Sequence, residues 1–266
     1  MTIRCTILGC GASGGVPRIG PDWGACDRRN PKNHRQRCAA LIEKVDEQER
    51  TTSLLVDAGP DIRAQMLAVG LNKVDAVLFT HDHADHTHGI DDLRLLAYRM
   101  QQRIEMWADA QTRKSLRQRF AYCFPEGEVG GYPSILQANT IHAPEPFIVT
   151  GDAGPIEVTP IPQHHGNVTS LGFRVGNLAY SPDISGFYDG ADALLSGLDV
   201  WIVDALRYHP HMSHFNVGQA LEWIANLKPK RAVLTHMNIE LDYDTLSSEL
   251  PDGVEPAYDG LVVSVV

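Results

Sequence analysis

Long apolar runs are missing from this 266-residue chain: no stretch approaches the roughly 18 consecutive apolar residues of a membrane span. The N-terminus, Met1-Thr2-Ile3-Arg4-Cys5-Thr6-Ile7-Leu8, also lacks the basic segment and extended apolar core of a secretory signal. A soluble protein with no membrane partner is therefore expected. Cysteine is scarce and unpatterned. Cys5, Cys10, Cys26, Cys38 and Cys123 are odd in number and include no C-x-x-C pair, which argues against a disulfide framework and fits a reducing cytoplasm. Positive charge is in deficit, with 23 Lys and Arg against 33 Asp and Glu. The net charge of −10 opposes general attraction to nucleic acid or anionic membrane, so a polyanionic substrate would need local help from metals or clustered arginines. No linker rich in Pro, Gly or Ser divides the chain. Residues 1–266 are expected to form a single domain, able at 43% hydrophobic composition to bury a full core.

What the chain does contain is an alternation of strand and helix patterns. Strand-like runs at 3–8, 39–45 and 53–57 precede helical spacing of Ile62, Met66 and Val69, a stop at Gly70, and the apolar stretch from Val74 to Thr80. Residues 91–122 read as mostly helical around a short strand at 104–107. From about 135 the pattern turns to strands, at 147–149, 156–161, 171–175 and 178–180. A helix near 188–196, a strand at 200–203, an amphipathic helix over 215–227, a strand at 232–235 and a last strand near 261–265 complete the reading. Two strand-then-helix halves predict two sheets packed face to face with helices outside. The glycine-rich segment from Gly9 to Pro17 follows a strand but opens no periodic helix, so it reads as a tight loop near the site rather than a dinucleotide grip.

Chemistry concentrates in His81-Asp82-His83-Ala84-Asp85-His86, directly after that apolar stretch. Three imidazoles and two carboxylates at the end of a buried strand are costly unless cations neutralise them, so a dinuclear metal site is the natural reading. Twelve histidines would place some pairs together by chance, but position decides here. His164 and His165, Asp183 and His236 also fall just past strand-like runs, where loops from one sheet edge converge. Two divalent ions about 3.5–4 Å apart can share a hydroxide at neutral pH, and imidazole and carboxylate ligands suit zinc, manganese or ferrous iron.

The spacing H-x-H-x-D-H with a later His, Asp and His resembles the metallo-β-lactamase superfamily across nearly the whole chain. The resemblance implies an α/β fold of four layers, αββα, and two divalent ions, Zn or Mn. One would be held by His81, His83 and one of the paired histidines, the other by Asp85, His86 and His236, with Asp183 bridging. His165 is preferred to His164 because it directly precedes the Gly166-Asn167-Val168-Thr169 turn. The Gly9–Pro17 loop, Leu178-Ala179-Tyr180-Ser181-Pro182-Asp183, Ser213-His214-Phe215-Asn216, Leu234-Thr235-His236 and Ala257-Tyr258-Asp259-Gly260 further resemble the PhnP-type cyclic-phosphate phosphodiesterases and the wider ribonuclease Z-like branch. This implies hydrolysis of a small, cyclic phosphate ester by a metal-bridging hydroxide, with Asp85 and His214 in catalytic roles and His214 as proton donor or phosphate contact. PhnP-type enzymes carry an additional structural zinc. Here Pro21 and Trp23 stand at two of its cysteine positions and Ile239 at its histidine position, so Cys26 alone cannot hold it.

Other residues have weaker cases. Arg207 and Tyr208 are candidates for reaching a phosphate, against a surface salt bridge for the arginine. Ser13 is a candidate pocket contact against a simple tight turn, and Asp57 a partner orienting a ligand histidine against a structural turn. His209 and His211, flanking Pro210, are expected to be exposed rather than substrate-binding, and Asp82 to face outward. The basic pieces 28–37 and 113–119 are diluted by Asp22, Asp27, Glu126 and Glu128 and read as solvated faces. The expected ligand is a small phosphate ester or nucleotide, with no large nucleic acid; a homodimer is left open. A ribonuclease Z-like tRNA 3′ endonuclease and a thioester, lactone or β-lactam hydrolase are the rival activities, and a non-catalytic metal sensor the rival class.

Overall fold

The computed structural model describes residues 1–125 and 133–266; Glu126 and Glu128 lie outside them. Two sheets form its centre. The first has strand order β15-β1-β2-β3-β4-β5-β6, where β1 is Thr2–Gly9, β2 Ala39–Val45, β3 Thr51–Val56, β4 Ala76–Leu78, β5 Ile104–Ala108, β6 Leu136–Thr140 and β15 Val262–Val265. The second runs β11-β8-β9-β10-β12-β13-β14, built from β8 (Gly154–His165), β9 (Val168–Val175), β10 (Leu178–Ser181), β11 (Gly186–Phe187), β12 (Val200–Asp204), β13 (Arg231–Thr235) and β14 (Val254–Pro256). The short β7 (Phe147–Gly151) pairs with β8.

Period-two alternation explains why the first sheet is covered on both faces. In β1 to β4 the residues Ile7, Ala40, Ile42, Leu54, Val56, Ala76 and Leu78 enter the core shared with Ile161, Phe173, Tyr180 and Trp201 of the second sheet. Their neighbours Leu8, Leu41, Leu55 and Val77 point the other way, into a second core. That core is closed by Ile62 and Met66 of α1 (Ile62–Ala68), Leu96 of α3 (Arg94–Met100) and Leu116 of α4 (Ala110–Arg119). A strand buried on both faces reads as a near-continuous apolar run, which is what the sequence shows at 53–57 and 74–80. On the second sheet, α5 (Val217–Leu227) contributes Val217, Ala220 and Ile224 to the shared core. It starts with a reciprocal cap: Gln219 N–H donates to Asn216 Oδ1 at 2.8 Å, and Asn216 N–H to Gln219 Oε1 at 3.1 Å. Two mixed sheets flanked by helices are the expected αββα sandwich.

The structure differs from the sequence reading in places. Residues 188–196 are not an α-helix; a five-residue 3₁₀ turn, Ala191–Leu195, lies between Gly190 and Gly197, both at positive φ. A four-residue helix α2, Ala84–Thr87, forms inside the ligand run, and α6 (Tyr243–Glu249) was not anticipated. No helix of the described residues is long and apolar enough to cross a membrane.

Two backbones pack so closely beside the ligand run that only glycine fits. A Cβ on Gly59 would stand 1.9 Å from the Asp85 carbonyl oxygen, and one on Gly89 would stand 2.0 Å from that of Gly59. The approach lets Ala58 N–H donate to His86 O and Gly89 N–H to Ala58 O, both at 2.8 Å. Gly59→Ala is expected to destabilise the protein by about 3 kcal/mol through forced backbone displacement. Scanning calorimetry should show Tm falling by roughly 6–10 °C.

The 20–34 loop is tied to the C-terminal part by Asp242, which caps α6 through Thr245 N–H at 3.0 Å and accepts from Asp27 N–H at 3.0 Å and Asn33 Nδ2 at 2.6 Å. Burial opposes its ionisation, but these donors outweigh burial and bring its pKa down to about 2. Because the folded value lies below the unfolded one of about 3.9, this stabilisation is present above pH 4 and is lost as pH falls from about 4 to 2. Asp242→Asn should cost about 1 kcal/mol at pH 7, after allowing for solvent screening, and almost nothing at pH 2. Urea unfolding at the two pH values checks it.

Candidate metal centre

The centre is organised from beneath by Asp57, a fully buried carboxylate just past β3, in the left-handed region at φ 65°. Its Oδ1 accepts Thr80 N–H at 2.9 Å; its Oδ2 accepts the Thr80 hydroxyl at 2.9 Å and His86 Nδ1–H at 2.7 Å. Since the Thr80 hydroxyl donates to Asp57, its oxygen accepts from His81 Nδ1–H at 2.9 Å. One carboxylate therefore fixes two imidazoles in the tautomer that leaves the Nε2 lone pair free. His165, the last residue of β8, reaches the same state by donating Nδ1–H to Ser213 O at 2.7 Å.

These nitrogens converge with carboxylates from other strand ends. Ligand atoms of His81, His83 and His165 lie within 4.8 Å of one another, as do those of Asp85, His86 and His236. Asp183, just past β10, stands between the two groups: Oδ1 is 3.1 Å from His86 Nε2, and Oδ2 is 3.7 Å from His165 Nε2 and 3.5 Å from His236 Nε2. His81 Nε2, His86 Nε2, His236 Nε2 and Asp183 Oδ1 are buried without a hydrogen-bond partner. Each such orphan costs about 1–3 kcal/mol. Four of them facing one another fit the donor set of divalent cations, which imidazole nitrogen and carboxylate oxygen suit. His236 itself is held at φ 56°, and its position is fixed by Met237 N–H donating to Cys10 O at 2.9 Å and Ala12 N–H to Met237 O at 3.1 Å.

Electrostatics put His81, His165, His236, Asp183 and Asp85 in the protonation state that ligands require. Desolvation is the first cause holding His81 and His165 below the usual imidazole range, and it takes His236 down to about 3. Burial would raise Asp183, but the charges of His236 and His86 outweigh it and leave the carboxyl far below its ordinary value. Burial likewise opposes Asp85, and the hydrogen bond and charge of His86 hold it low. His86 goes the other way: burial disfavours its imidazolium, yet Asp183 and Asp57 together raise its pKa.

Beside this cluster sits a pair of which the sequence pattern marks one member. His214 was a candidate; Asp204, the end of β12, was not. His214 Nδ1–H donates to Asp204 Oδ2 at 2.7 Å, and Ile184 N–H donates to the same oxygen at 3.1 Å. Burial opposes the His214 imidazolium, but Asp204 outweighs it and lifts the pKa to about 9, while burial lifts Asp204 to about 7. The pair thus keeps a proton across neutral pH. The signal available was a carboxylate ending the apolar run Val200-Trp201-Ile202-Val203-Asp204, the same strand-end position that marked the other site residues.

The remaining candidates fall elsewhere. Arg207 donates to the carbonyls of His209 at 3.1 Å and Pro210 at 2.8 Å, clipping its own loop rather than forming a salt bridge, and Tyr208 O–H donates to Glu249. Ser13 is exposed in a turn closed by Gly15 N–H on Ala12 O, in the loop that runs beside Met237. His209 is exposed, whereas His211 is half-buried, with its ring centroid 5.2 Å from that of His214. The expectation that His211 is exposed is corrected: Ser213 N–H, 3.3 Å from His211 Nδ1, folds its ring back toward the site. His164 instead packs at a tilt against Tyr188, with ring centroids 3.8 Å apart. Cys26 is buried among Val16, Ile239 and Trp23, an apolar cluster with its thiol on the carbonyls of Ile239 and Leu241.

Residues 52–237, which include every one of these candidate ligands, match the family described as the Beta-lactamase superfamily domain. The chain belongs to the beta-lactamase superfamily. A solved structure described as a new diphosphatase from the PhnP family is 32% identical, with a TM-score of 0.89, and the match covers 100% of this chain and 98% of that one. Zn²⁺-bound PqqB from Methylobacterium extorquens shares the fold at 20% identity and a TM-score of 0.75, over 98% of this chain and 99% of that one. A protein of Porphyromonas gingivalis (strain ATCC BAA-308 / W83) named octanoyltransferase is 31% identical over 261 residues, 97% of this chain but 51% of its own length. The chain thus spans about half the length of that curated relative.

Proposed function

We propose that this member of the superfamily is a dinuclear metal-dependent phosphodiesterase acting on a small phosphate ester. The observation that carries the reading is the set of unpartnered, inward-facing atoms of His81, His86, His236 and Asp183 next to a proton-holding His214–Asp204 pair. His81, His83 and His165 would hold one divalent ion, Asp85, His86 and His236 the other, and Asp183 would contact both. When bound, two such ions supply an acidified water and neutralise charge developing on phosphoryl oxygens. Asp57 orients His81 and His86, the first through Thr80. His214 holds a proton at Nε2 for the departing oxygen, because Nδ1 is engaged by Asp204. A cavity of about 320 Å³ lined by His83, His165, Gly166, Asn167, Val168, Met212 and Ser213 borders the cluster. Its size suits a small ester, and the PhnP-family relative being named a diphosphatase supports cleavage at phosphorus.

The test is hydrolysis by protein loaded with Zn²⁺ or Mn²⁺. Turnover of bis(p-nitrophenyl) phosphate, a 2′,3′-cyclic nucleotide or a small diphosphate ester is expected, with none of nitrocefin, lactones or S-lactoylglutathione. Preference for the second group would overturn the reading.

A further inference from the structure

The basic piece 113–119 reads from sequence as a solvated face, and its last residue, exposed at the end of α4, also reaches the outside of the ligand run. Arg119, at the end of α4, donates Nη2–H to the Asp82 carbonyl at 2.6 Å and lies 3.3 Å from Asp82 Oδ2. Its Nη1 is 3.3 Å from His88 Nε2, and its guanidinium carbon lies 5.8 Å from the Phe120 ring centroid, with His88 packed edge-on against the same ring. Asp82 and His88 bracket His83, Asp85 and His86. The inner face of the loop carries candidate ligands; the outer face is held at both ends by one planar fork.

His83 is the residue with most to gain from this. It is the exposed member of its group, and among the described residues it has no carbonyl or carboxylate partner like those that orient His165 and His86. Among the described residues its imidazole meets other rings: Nδ1 is 3.3 Å from His165 Nε2, and the His81 ring centroid is 4.4 Å away. What directs it is therefore its backbone. The peptide entering His83 begins at the Asp82 carbonyl that Arg119 grips, and the His83 carbonyl is fixed by the Thr87 hydroxyl at 2.8 Å. Lysine could keep one of these contacts as a point charge but could not span Asp82 and His88 together.

We infer that Arg119 is a positioning residue that sets the 81–88 loop for divalent-cation binding by clamping it at Asp82 and His88. The inference rests on the reading of the cluster as a metal centre. Groups that orient ligands from outside typically govern affinity by about 10- to 100-fold. Chelator-stripped wild type, Arg119→Met and Arg119→Lys are to be titrated with Zn²⁺ against a chromophoric chelator, alongside hydrogen exchange of the 80–89 amides in the metal-free proteins. The expected result is two uptake steps in wild type, one of them weakened roughly tenfold or more in Arg119→Met and less in Arg119→Lys. Exchange should speed up across 80–89 while β12 and β13 keep their protection. Two uptake steps and 80–89 exchange unchanged in Arg119→Met would overturn the clamp and leave the metal centre standing. A wild type that takes up no cation would overturn both.

Discussion

If the proposed activity holds, Asp183→Ala is expected to abolish it, lowering kcat/KM by roughly 10³-fold or more, because it removes the carboxylate that, among the described residues, faces both ligand groups. Its two oxygens face His86 on one side and His165 and His236 on the other. The loss should appear first in binding. Calorimetric titration of the variant should show weakened uptake of both cations, and saturating metal should restore little activity. Asp183→Asn, similar in shape but uncharged, should behave nearly as badly. If either variant hydrolysed bis(p-nitrophenyl) phosphate at more than a tenth of the wild-type rate, Asp183 would have no bridging role.

His214→Ala separates proton transfer from cation binding. Loss of a positioned proton donor costs about 10²- to 10⁴-fold in kcat, and the effect should be largest for substrates with poor leaving groups. An activated leaving group such as p-nitrophenolate needs less protonation and should be affected least. Asp204→Asn keeps the imidazole but removes the charge that holds its proton, so a smaller loss is expected, on the order of 10- to 100-fold. Cation stoichiometry should remain at the wild-type value in His214→Ala. Equal rates for His214→Ala and wild type on an unactivated cyclic diester would exclude the role.

Much of this arrangement is legible before folding because burial leaves a pattern. Strands β1 to β4 carry apolar side chains on both faces, so their runs stand out from the polar loops. Charged groups placed directly after such runs are conspicuous for the same reason. His81, His83, Asp85, His86, the His164–His165 pair, Asp183 and His236 stand out on that ground, with His165 singled out by the family resemblance, and the structure brings the ligand candidates other than His164 together. Asp204 obeys the same rule but is a single carboxylate, and its partner His214 lies ten residues away on a loop that only the tertiary fold turns back. His211 could not be placed either, since its half-burial depends on Ser213 donating to its ring. At 188–196 the composition Ala191-Asp192-Ala193-Leu194-Leu195 favours helix, yet the flanking Gly190 and Gly197 sit at positive φ and stop it after one turn. Arg119 shows the converse limit. Its sequence context is that of a solvated helix end, and only the position of α4 beside the ligand loop gives it a partner.

Two cations are proposed to sit between these strand ends, and anomalous scattering from crystals grown with Mn²⁺ or Zn²⁺ tests this most directly. Two peaks are expected, one among His81, His83 and His165, the other among Asp85, His86 and His236, with Asp183 against both. A lone peak, or peaks at other side chains with this cluster empty, would contradict it.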